Sequence, residues 1–558
     1  MKPIPDELST YTPLLGRLLT NRDIVTFKDA EHFLNPSFTR DLADPFGIHD
    51  MEKATVRIYE AMEAKEKIVV FADYDCDGIP GAVIMHDFFT KLGYENFEIY
   101  IPDRHHEGYG LSIPAIEKFR DNEVKLIITI DLGTSNVEEI AQAEAFGIDV
   151  IVTDHHLPKT DVPHAYAIVN PKLSPDYNDI MLCGSGVVFR LVQAFLTKYR
   201  EYYKVQDGWE KWLLDMAGLA TLSDMVPLVK ENRVLAYYGM MVLKKSPRPG
   251  LLRLLYKMKV DPRTMTEDDI AFMLTPRINA ASRMDNPLRA FELLSTRDSV
   301  KAGALADHLT NINDERKTLV ATIMKEAHHT LREREEKHVI VIGNPKWRVG
   351  VLGLVASKIM EEYKKPTFVW GLEGASVIKG SCRSDGSVNL VSLMAHIPKD
   401  SLLEFGGHEL AGGFSVSHES VHFLEEHLSA SYTEIKKEGA IVSANPIDMH
   451  LTLDDVTMKN YKDIAKLAPF GVGNPKPTFL FENVMIQNVK EFGKEQNHLE
   501  LCFENSNSRP IKAIAFFKTR ASYGRALQKG VAINLVATFE LSNFAGREEL
   551  RLRIVDIL

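Results

Sequence analysis

Cysteine is scarce in this sequence, with four residues among 558. They lie far apart, at Cys76, Cys183, Cys382 and Cys502. Because no two of them form a CxxC pair, we expect neither a disulfide framework nor a zinc-finger module. Such usage is typical of a protein kept in a reducing compartment, and we therefore expect a cytoplasmic location.

Long apolar runs are also missing. No stretch is long enough to span a bilayer. The first six residues, MKPIPD, lack the apolar core of a secretory signal peptide. With 45% hydrophobic and 26% charged residues, the composition is that of an ordinary soluble protein rather than a membrane-spanning one.

Basic residues are not in excess either, since the net charge is −11. This balance argues against a surface broadly coated with positive charge for nucleic acid. It does not exclude a local basic groove, because binding depends on where the charges lie and metal ions offset acidic residues.

With 558 residues, the chain is too long to fold around a single hydrophobic core, and its length predicts three or four domains. After a helix at 51–64, strand and helix patterns alternate regularly up to about residue 199. The predicted strands are 68–72, 97–101, 125–130, 149–153 and 165–169. The predicted helices are 79–92, 112–122, 134–146 and 185–199. This alternation indicates right-handed crossovers and a parallel sheet covered on both faces, hence an α/β fold.

An acidic stretch, DYDCDG at 73–78, directly follows the first apolar strand. Its three carboxylates stand at alternate positions and repel one another, which a folded protein tolerates mainly when cations lie among the oxygens. The alternative is an acidic surface turn that caps the following helix. The stretch alone does not decide between the two.

Two further strands end in similar residues. Asp131 follows the strand at 125–130, and the run Asp154, His155 and His156 follows the strand at 149–153. A single aspartate there is commonly a helix cap, and a histidine pair is more often a surface feature. Because ligands bind beyond the carboxyl ends of parallel strands, the three ends together favour a metal site. Oxygen and nitrogen ligands suit Mn²⁺ or Mg²⁺, and Asp224 is the best candidate for a fourth carboxylate.

Four segments, DYDCDG, the Asp131 segment, DHH (154–156) and SDMVPL (223–228), resemble the signature motifs of the DHH phosphoesterase superfamily. Further segments narrow the resemblance to its RecJ branch, the single-strand-specific 5′ exonucleases. They are EGYGL (107–111), GSGVVF (184–189), PRINAASR (276–283), GGHELAGG (406–413) and PFGVGNPKP (469–477). The resemblance runs from about residue 20 to the C-terminus.

The resemblance implies a catalytic set with two ions, Mn²⁺ or Mg²⁺. By this match the metal ligands are Asp75, Asp77, Asp131, His155 and Asp224, with Asp131 bridging both ions and His156 near the scissile phosphate. The implied substrate contacts are Arg104, Tyr109, Arg277, Asn279, Ser381, Arg383 and His408. Without the resemblance, the arginines would be interpreted as salt-bridge partners, and the two glycines before His408 would indicate a tight turn. Phe71 replaces a metal-binding histidine of pyrophosphatase-like relatives, which leaves one site to use Asp73 or water.

The remaining chain predicts a second α/β lobe and a barrel. Apolar residues within the charge-rich segment 301–337 have helical spacing, and we expect one long, solvated helix that joins two lobes. Short strands at 478–490, 497–504, 510–517, 531–540 and 548–556, with a helix near 518–528, predict an OB-type barrel. The predicted domains are an arm packed on the next domain (1–50), a DHH catalytic domain (51–300), the connecting helix (301–337), a DHH-associated domain (338–440) and the barrel (445–558).

Several barrel phenylalanines are candidates for stacking on nucleobases. They are Phe479, Phe481, Phe492, Phe516 and Phe517. Because most aromatic residues in a small barrel belong to its core, we expect at most two or three of them to contact nucleic acid.

The function implied is a metal-dependent exonuclease that degrades single-stranded DNA from the 5′ end to 5′-mononucleotides in repair and recombination. Single-strand-binding protein and a RecQ-type helicase are implied partners. One alternative is a DHH-type phosphodiesterase acting on nano-RNA or cyclic dinucleotides, although such relatives usually stop before a barrel. The other is a non-catalytic replication scaffold, although such proteins lose the metal ligands that this sequence keeps.

Overall fold

The structure is a computed structural model that describes residues 3–104, 106–158, 161–177, 179–373, 377–436, 447–493, 495–542 and 548–558. It contains two α/β lobes joined by a long helix, followed by a β-barrel-type domain, which confirms the predicted fold class. Within these ranges, no helix combines the length and the apolar character needed to cross a membrane.

The N-terminal arm contains two helices, α1 (Pro13–Thr20) and α2 (Phe27–Leu34). Their apolar residues share a core with the C-terminal barrel. The part from Phe38 to Ile48 packs on the first lobe, and Phe33 near the end of α2 also contacts that lobe through Arg233. The prediction of an arm packed on the next domain therefore describes its second part, whereas the apolar residues of α1 and α2 are covered mainly by the distant barrel.

The first lobe is built on a sheet of five parallel strands in the order β2-β1-β3-β4-β5. The strands are β1 (Lys67–Ala72), β2 (Phe97–Tyr100), β3 (Val124–Ile130), β4 (Asp149–Thr153) and β5 (Ala167–Val169). Helices cover both faces: α3 (Met51–Glu63), α4 (Gly78–Leu92), α5 (Ile113–Asp121), α6 (Val137–Ala145) and α7 (Gly184–Tyr199). The predicted alternation of strands and helices is confirmed.

A helical layer completes this lobe. It contains α8 (Leu214–Ser223), α9 (Lys230–Leu243), α10 (Pro249–Met258), α11 (Glu267–Asp269), α12 (Thr275–Met284) and α13 (Leu288–Ser295). A π-helical turn, Ile270–Leu274, connects α11 to α12.

The connecting helix, α14 (Ser299–Arg332), spans 34 residues. Its buried stripe packs into the first lobe at Leu305 and Leu309 and into the second lobe at Val320 and Ile323. The predicted helix is confirmed, but its description as a solvated spacer was wrong, because one face of α14 belongs to the cores of both lobes.

The second lobe contains a mixed sheet in the order β6-β7-β8-β10-β9, in which only β6 and β7 are parallel. Its strands are β6 (Ile340–Asn344), β7 (Thr367–Gly371), β8 (Ile378–Arg383), β9 (Glu404–Gly407) and β10 (Ala411–Val416). Its helices are α15 (Leu352–Tyr363), α16 (Leu390–His396) and α17 (Leu424–Ile435).

The C-terminal domain is a seven-stranded sheet in the order β11-β12-β16-β17-β15-β14-β13, wrapped around one apolar core. Its elements are β11 (Met449–His450), α18 (Met458–Ala465), β12 (Phe479–Met485), β13 (Asn488–Phe492), β14 (His498–Glu504), β15 (Pro510–Ala515), β16 (Ala532–Ser542) and β17 (Glu549–Ile557). The predicted helix near 518–528 was wrong. Only a short 3₁₀ turn forms at Arg520–Tyr523, because Gly524 adopts the left-handed conformation and ends it.

Candidate metal centre and substrate cleft

Acidic and imidazole side chains meet at the carboxyl edge of the parallel sheet. Asp73, Asp75 and Asp77 follow β1, Asp131 follows β3, and the two histidines follow β4. Asp224 joins them from the turn after α8. We call the five aspartates Asp73, Asp75, Asp77, Asp131 and Asp224 the carboxylate cluster. Adjacent parallel strands end side by side, which explains why residues far apart in sequence converge here.

Three groups of side chains in this region have ligand atoms close enough to hold a metal ion. The groups are Asp131 with His155 and His156, Asp77 with His155 and Asp224, and Asp73 with Asp75 and Asp131. His155 Nε2 lies 3.1 Å from Asp131 Oδ1, 3.7 Å from Asp224 Oδ2 and 3.8 Å from Asp77 Oδ2. The structure therefore brings together all six residues that the sequence predicts for catalysis, and it places Asp73, the alternative to water at one site, among them.

Asp77 is fixed by the N-terminus of α7. The amides of Gly184 and Ser185 donate to its two carboxylate oxygens at 2.6 and 2.7 Å. A helix N-terminus favours a negative charge at this place. Residue 184 must be glycine, because a Cβ there would lie 2.6 Å from the Cβ of Asp131. The N-terminus of α7 therefore packs against both Asp77 and Asp131, two candidate metal ligands.

Asp131 carries two further signs of a metal ligand. Its backbone is left-handed with φ 62°, a strained conformation that is commonly retained at functional sites. Its Oδ1 is buried and accepts no hydrogen bond from any described residue, and the same holds for Asp73 Oδ1. A buried carboxylate oxygen without a donor is costly unless a cation binds it.

Asp154 orients the two histidines. Its Oδ1 accepts from the His155 amide at 2.7 Å and lies 2.8 Å from His156 Nδ1. Burial lowers the pKa of His155 to about 3, with a further contribution from His156, so its imidazole is neutral and can act as a ligand. Burial also opposes a charge on His156, but the bond to Asp154 outweighs it and raises the pKa of His156.

The carboxylate cluster is poorly compatible with full ionisation in the absence of cations. Burial, followed by repulsion from Asp75, raises the pKa of Asp77 to about 6. Burial, followed by repulsion from Asp77, raises the pKa of Asp224 to about 9. The same causes raise the pKa of Asp73 and Asp131 well above the usual range. Hard oxygen ligands with one neutral imidazole fit Mn²⁺ or Mg²⁺.

This electrostatic arrangement predicts how metal and pH affect stability. Because the pKa of Asp77 and Asp224 is higher in the folded protein, the cluster stabilises the fold most at acidic pH and loses this contribution as the pH rises through about 6 and about 9. Mg²⁺ should therefore raise the unfolding temperature more at about pH 9 than at about pH 6. One ion at a hundredfold its dissociation constant adds about 2.7 kcal/mol. Thermal unfolding with EDTA or Mg²⁺ measures this, and an equal shift at both pH values would contradict it.

Arginines line the opposite side of the site. Arg283 is recessed among Arg104, Arg316 and Arg383, and burial together with these neighbours lowers its pKa to about 9. Its Nη1 donates to the carbonyl of Gly350 in the second lobe at 3.2 Å. Sequence reasoning missed Arg283, although it stands in the same PRINAASR motif as Arg277. Asp75 also acts on Arg283, but the four grouped guanidinium groups form no ion pair with a carboxylate among the described residues, an arrangement typical of a phosphate site.

Arg277, the sequence-predicted contact, shares only Arg316 with the neighbours of Arg283. Its Nη1 donates to the Met273 carbonyl at 2.7 Å, and its charged neighbours are Asp314 and Arg316 on α14. Arg283 lies six positions farther along α12, so the two side chains leave the helix on different faces. Asn279, on the same helix, has a buried Oδ1 that accepts no hydrogen bond within the described ranges.

The other predicted substrate contacts lie around the cleft between the lobes. Tyr109 donates to the Asp131 carbonyl at 3.0 Å, and Arg104 lies over the Tyr74 ring at 5.0 Å. The His408 ring, from the second lobe, stacks at 6.1 Å on His156.

Ser381 and Arg383 both point toward the N-terminus of α15. A Cβ on Gly353 there would lie 3.0 Å from Arg383 Nη2 and 3.6 Å from Ser381 Oγ. Sequence reasoning missed one more cation, Lys172, which interacts electrostatically with Asp131 and Asp224 and whose pKa is lowered by burial.

The parallel sheet, its acidic edge and the second lobe that covers it define a member of the DHH superfamily. Residues 67–221 match the family model described as the DHH family, N-terminal domain. Residues 336–434 match the DHHA1 domain, and residues 447–556 match the RecJ OB domain. The chain belongs to the RecJ family.

Curated relatives and a solved structure support this membership over the whole chain. Identity is 32% to the single-stranded-DNA-specific exonuclease RecJ of Bacillus subtilis, covering 100% of this chain and 69% of that protein. It is 31% to the RecJ of Haemophilus influenzae, covering 99% and 97%. The crystal structure of RecJ in complex with Mn²⁺ from Thermus thermophilus has a TM-score of 0.80 and 25% identity, covering 99% of this chain and 77% of that one.

Proposed function

We propose that this chain is a Mn²⁺- or Mg²⁺-dependent exonuclease that removes 5′-mononucleotides from the 5′ end of single-stranded DNA. The observation that carries the proposal is the carboxylate cluster with its two histidines, set in an arginine-lined cleft between two lobes. It stands in a chain whose relatives are named single-stranded-DNA-specific exonucleases. A single strand in such a cleft would present one phosphodiester at a time.

In this proposal two cations share the cluster. Asp77, His155 and Asp224 would hold one cation and Asp73 and Asp75 would hold the other, and Asp131, which is close to both groups, could serve both sites. When bound, the cations supply Lewis acidity that activates a water and neutralises charge on the phosphate. Asp154 fixes the His156 ring through Nδ1, so Nε2 is the nitrogen that can contact the scissile phosphate.

The arginines would hold the rest of the terminal nucleotide. Arg104, Arg283 and Arg383 lie close enough to influence one another, and a phosphate among them would relieve their repulsion. The N-terminus of α15, next to Ser381 and Arg383, adds amide donors for the same phosphate. Tyr109 and His408 would then enclose the cleft from the two lobes. Arg277 and Asn279 are proposed as contacts farther along the strand.

The barrel would guide the strand toward the cleft. Phe479 and Phe481 lie in its core, whereas Phe517 is 80% exposed. The guanidinium of Arg553 lies over the half-buried ring of Phe516, 4.1 Å from the ring centroid. Stacking of bases on the rings of Phe516 and Phe517, next to this cation, is therefore proposed.

Replacing Phe517 with alanine should weaken binding of single-stranded DNA because one stacking face is lost. The expected loss of binding free energy is about 1–3 kcal/mol. It is calculated from the dissociation constant of a labelled oligonucleotide, measured in EDTA. Phe423→Ala, which removes an exposed phenylalanine from the second lobe, is the matched control. Equal dissociation constants for both variants would exclude Phe517 as a stacking residue.

The proposed activity is tested with 5′- and 3′-labelled single-stranded DNA, duplex DNA and short RNA in the presence of Mn²⁺. We expect mononucleotides from the 5′ label at once and from the 3′ label only at the end. Digestion of dinucleotides alone would instead support a small-substrate phosphodiesterase, and no metal-dependent digestion would support a scaffold. Roles in repair and recombination, a cytoplasmic location, and contacts with single-strand-binding protein and a RecQ-type helicase are further proposals that rest on family membership.

A further inference from the structure

One sequence motif has no part in the proposed chemistry, although the structure buries it at a junction of three domains. Residues 469–475, here called the Asn474 turn, connect α18 to β12. The side chain of Asn474 is fully buried. Its Oδ1 accepts from Nε of Arg22, in the N-terminal arm, at 2.8 Å. Its Nδ2 donates to the carbonyls of Leu467 and Pro469 at 2.8 and 2.9 Å.

Arg233 of α9, in the first lobe, donates hydrogen bonds to the residues just before the Asn474 turn. Its Nη1 donates to the Leu467 carbonyl at 3.0 Å, and its Nη2 donates to the Ala468 carbonyl at 3.2 Å. Its Nε donates to the carbonyl of Phe33 in the arm at 2.7 Å. The arm, the first lobe and the barrel are thus tied together by one buried set of hydrogen bonds around the Asn474 turn. Buried polar groups of this kind are costly to disturb because each lost bond leaves an unpaired partner.

The Asn474 turn also holds residues 224–228, here called the Asp224 loop. The Leu228 amide donates to the Val472 carbonyl at 2.7 Å. Packing is close on both sides of this bond, since a Cβ on Gly471 would lie 2.8 Å from Leu228 Cδ1 and one on Gly473 would lie 3.2 Å from Pro227 Cβ. The turn therefore fixes the far end of a loop whose first residue belongs to the carboxylate cluster.

The Asp224 loop needs such support because its backbone is strained. Met225, directly after Asp224, has φ 60°, and its side chain is largely exposed. A left-handed non-glycine residue persists only where the surroundings enforce it. The exposed Met225 side chain supplies little of this restraint. The bond from Leu228 to Val472 and the α8 end, where the Asp224 amide donates to Ala220 at 2.9 Å, hold the loop at its two ends.

We propose that Asn474 and Arg22 are positioning residues for the metal centre. Through the Val472 carbonyl they keep the Asp224 loop in the conformation that directs the Asp224 carboxylate toward His155, 3.7 Å away. This inference rests on the proposed function in taking Asp224 as a metal ligand. We therefore expect the affinity of the site for metal to depend on docking of the barrel and the arm on the first lobe.

The test compares Asn474→Ala and Arg22→Ala with a matched control in the full chain. The control, Thr12→Val, also removes an arm-to-barrel hydrogen bond, from Oγ1 to Asp463 at 2.8 Å, but leaves the Asn474 turn intact. Mn²⁺ binding is measured by titration calorimetry. Exchange of the Leu228 amide is measured by mass spectrometry on metal-free protein.

We expect Asn474→Ala to weaken binding of one Mn²⁺ about tenfold, and Arg22→Ala about threefold, because each substitution removes three side-chain hydrogen bonds and only part of their energy reaches the Asp224 loop. The Leu228 amide should exchange faster in both variants, whereas Thr12→Val should match the wild type in both measurements. Mn²⁺ affinities equal to that of Thr12→Val would overturn the proposal, whatever happens to thermal stability. If Asn474→Ala does not fold, Arg22→Ala decides alone.

Failure of this inference can be told apart from failure of the proposed function. A wild-type chain that binds Mn²⁺ but does not digest single-stranded DNA would reject the nuclease and leave the positioning role standing. A wild-type chain that digests DNA, with variants that bind Mn²⁺ normally, would reject only the positioning role.

Discussion

Replacing Asp131 with asparagine should abolish Mn²⁺-dependent digestion of single-stranded DNA. Asp131 is the only described residue that belongs both to the group with His155 and His156 and to the group with Asp73 and Asp75. Its loss would therefore disturb both proposed ions at once. The expected decrease in kcat is on the order of 10⁴-fold, the scale observed when one member of an interdependent catalytic set is removed.

The same substitution should leave the fold intact, which separates a catalytic effect from a structural one. Burial and four neighbouring carboxylates raise the pKa of Asp131 well above its usual range, so a neutral asparagine removes repulsion in metal-free protein. We expect its unfolding temperature in EDTA at about pH 8 to equal or exceed that of the wild type. Asp121→Asn, at an exposed helix end, is the control with full activity. Residual activity within about tenfold of wild type would refute the bridging role.

Replacing Arg283 with methionine should reduce kcat/KM on 5′-phosphorylated single-stranded DNA by about a hundredfold. The physical reason is the loss of about two charge-assisted hydrogen bonds to a phosphate. Methionine keeps much of the packing volume and removes the repulsion from Arg104, Arg316 and Arg383. Thermal stability should therefore not fall, although the bond to Gly350 is lost.

Arg277→Met is the informative comparison for Arg283→Met, because both arginines stand on α12 within one motif. We expect it to reduce kcat/KM less than Arg283→Met, since Arg277 lacks Arg104 and Arg383 as neighbours and has the carboxylate of Asp314 near it. The opposite ranking would favour the assignment made from the sequence. Both variants are assayed on oligonucleotides with and without a 5′ phosphate, and the effect of Arg283→Met should be larger when the phosphate is present.

The position of the metal centre was predictable because it depends on local pattern and one topological rule. Apolar runs before Asp73, Asp131 and Asp154 indicated buried strands, and parallel strands end at a common edge. The choice between Arg277 and Arg283 was not predictable in this way. It depends on how α12 is rotated about its axis, which tertiary packing sets and a motif does not record.

Two predictions that the structure contradicts wholly or in part, a helix after β15 and the packing of the arm, failed for similar physical reasons. The segment after β15 contains enough helix-forming residues to suggest a helix, but Gly524 in a left-handed conformation stops it after one turn. The amphipathic helices α1 and α2 show that an apolar face exists without showing what covers it. Their partner lies more than four hundred residues later in the chain, beyond the reach of any local pattern.

The shared core of the arm and the barrel has a consequence for biosynthesis. Leu15 and Leu19 are made before both lobes, yet the strands that cover them, including Phe481 and Leu535, are made after both lobes. During translation the apolar face of the arm therefore stays uncovered while both lobes are made and fold. A barrel fragment beginning at residue 447 would expose the surface that the arm covers, so aggregation of that fragment should be relieved by supplying residues 3–36 as a separate peptide.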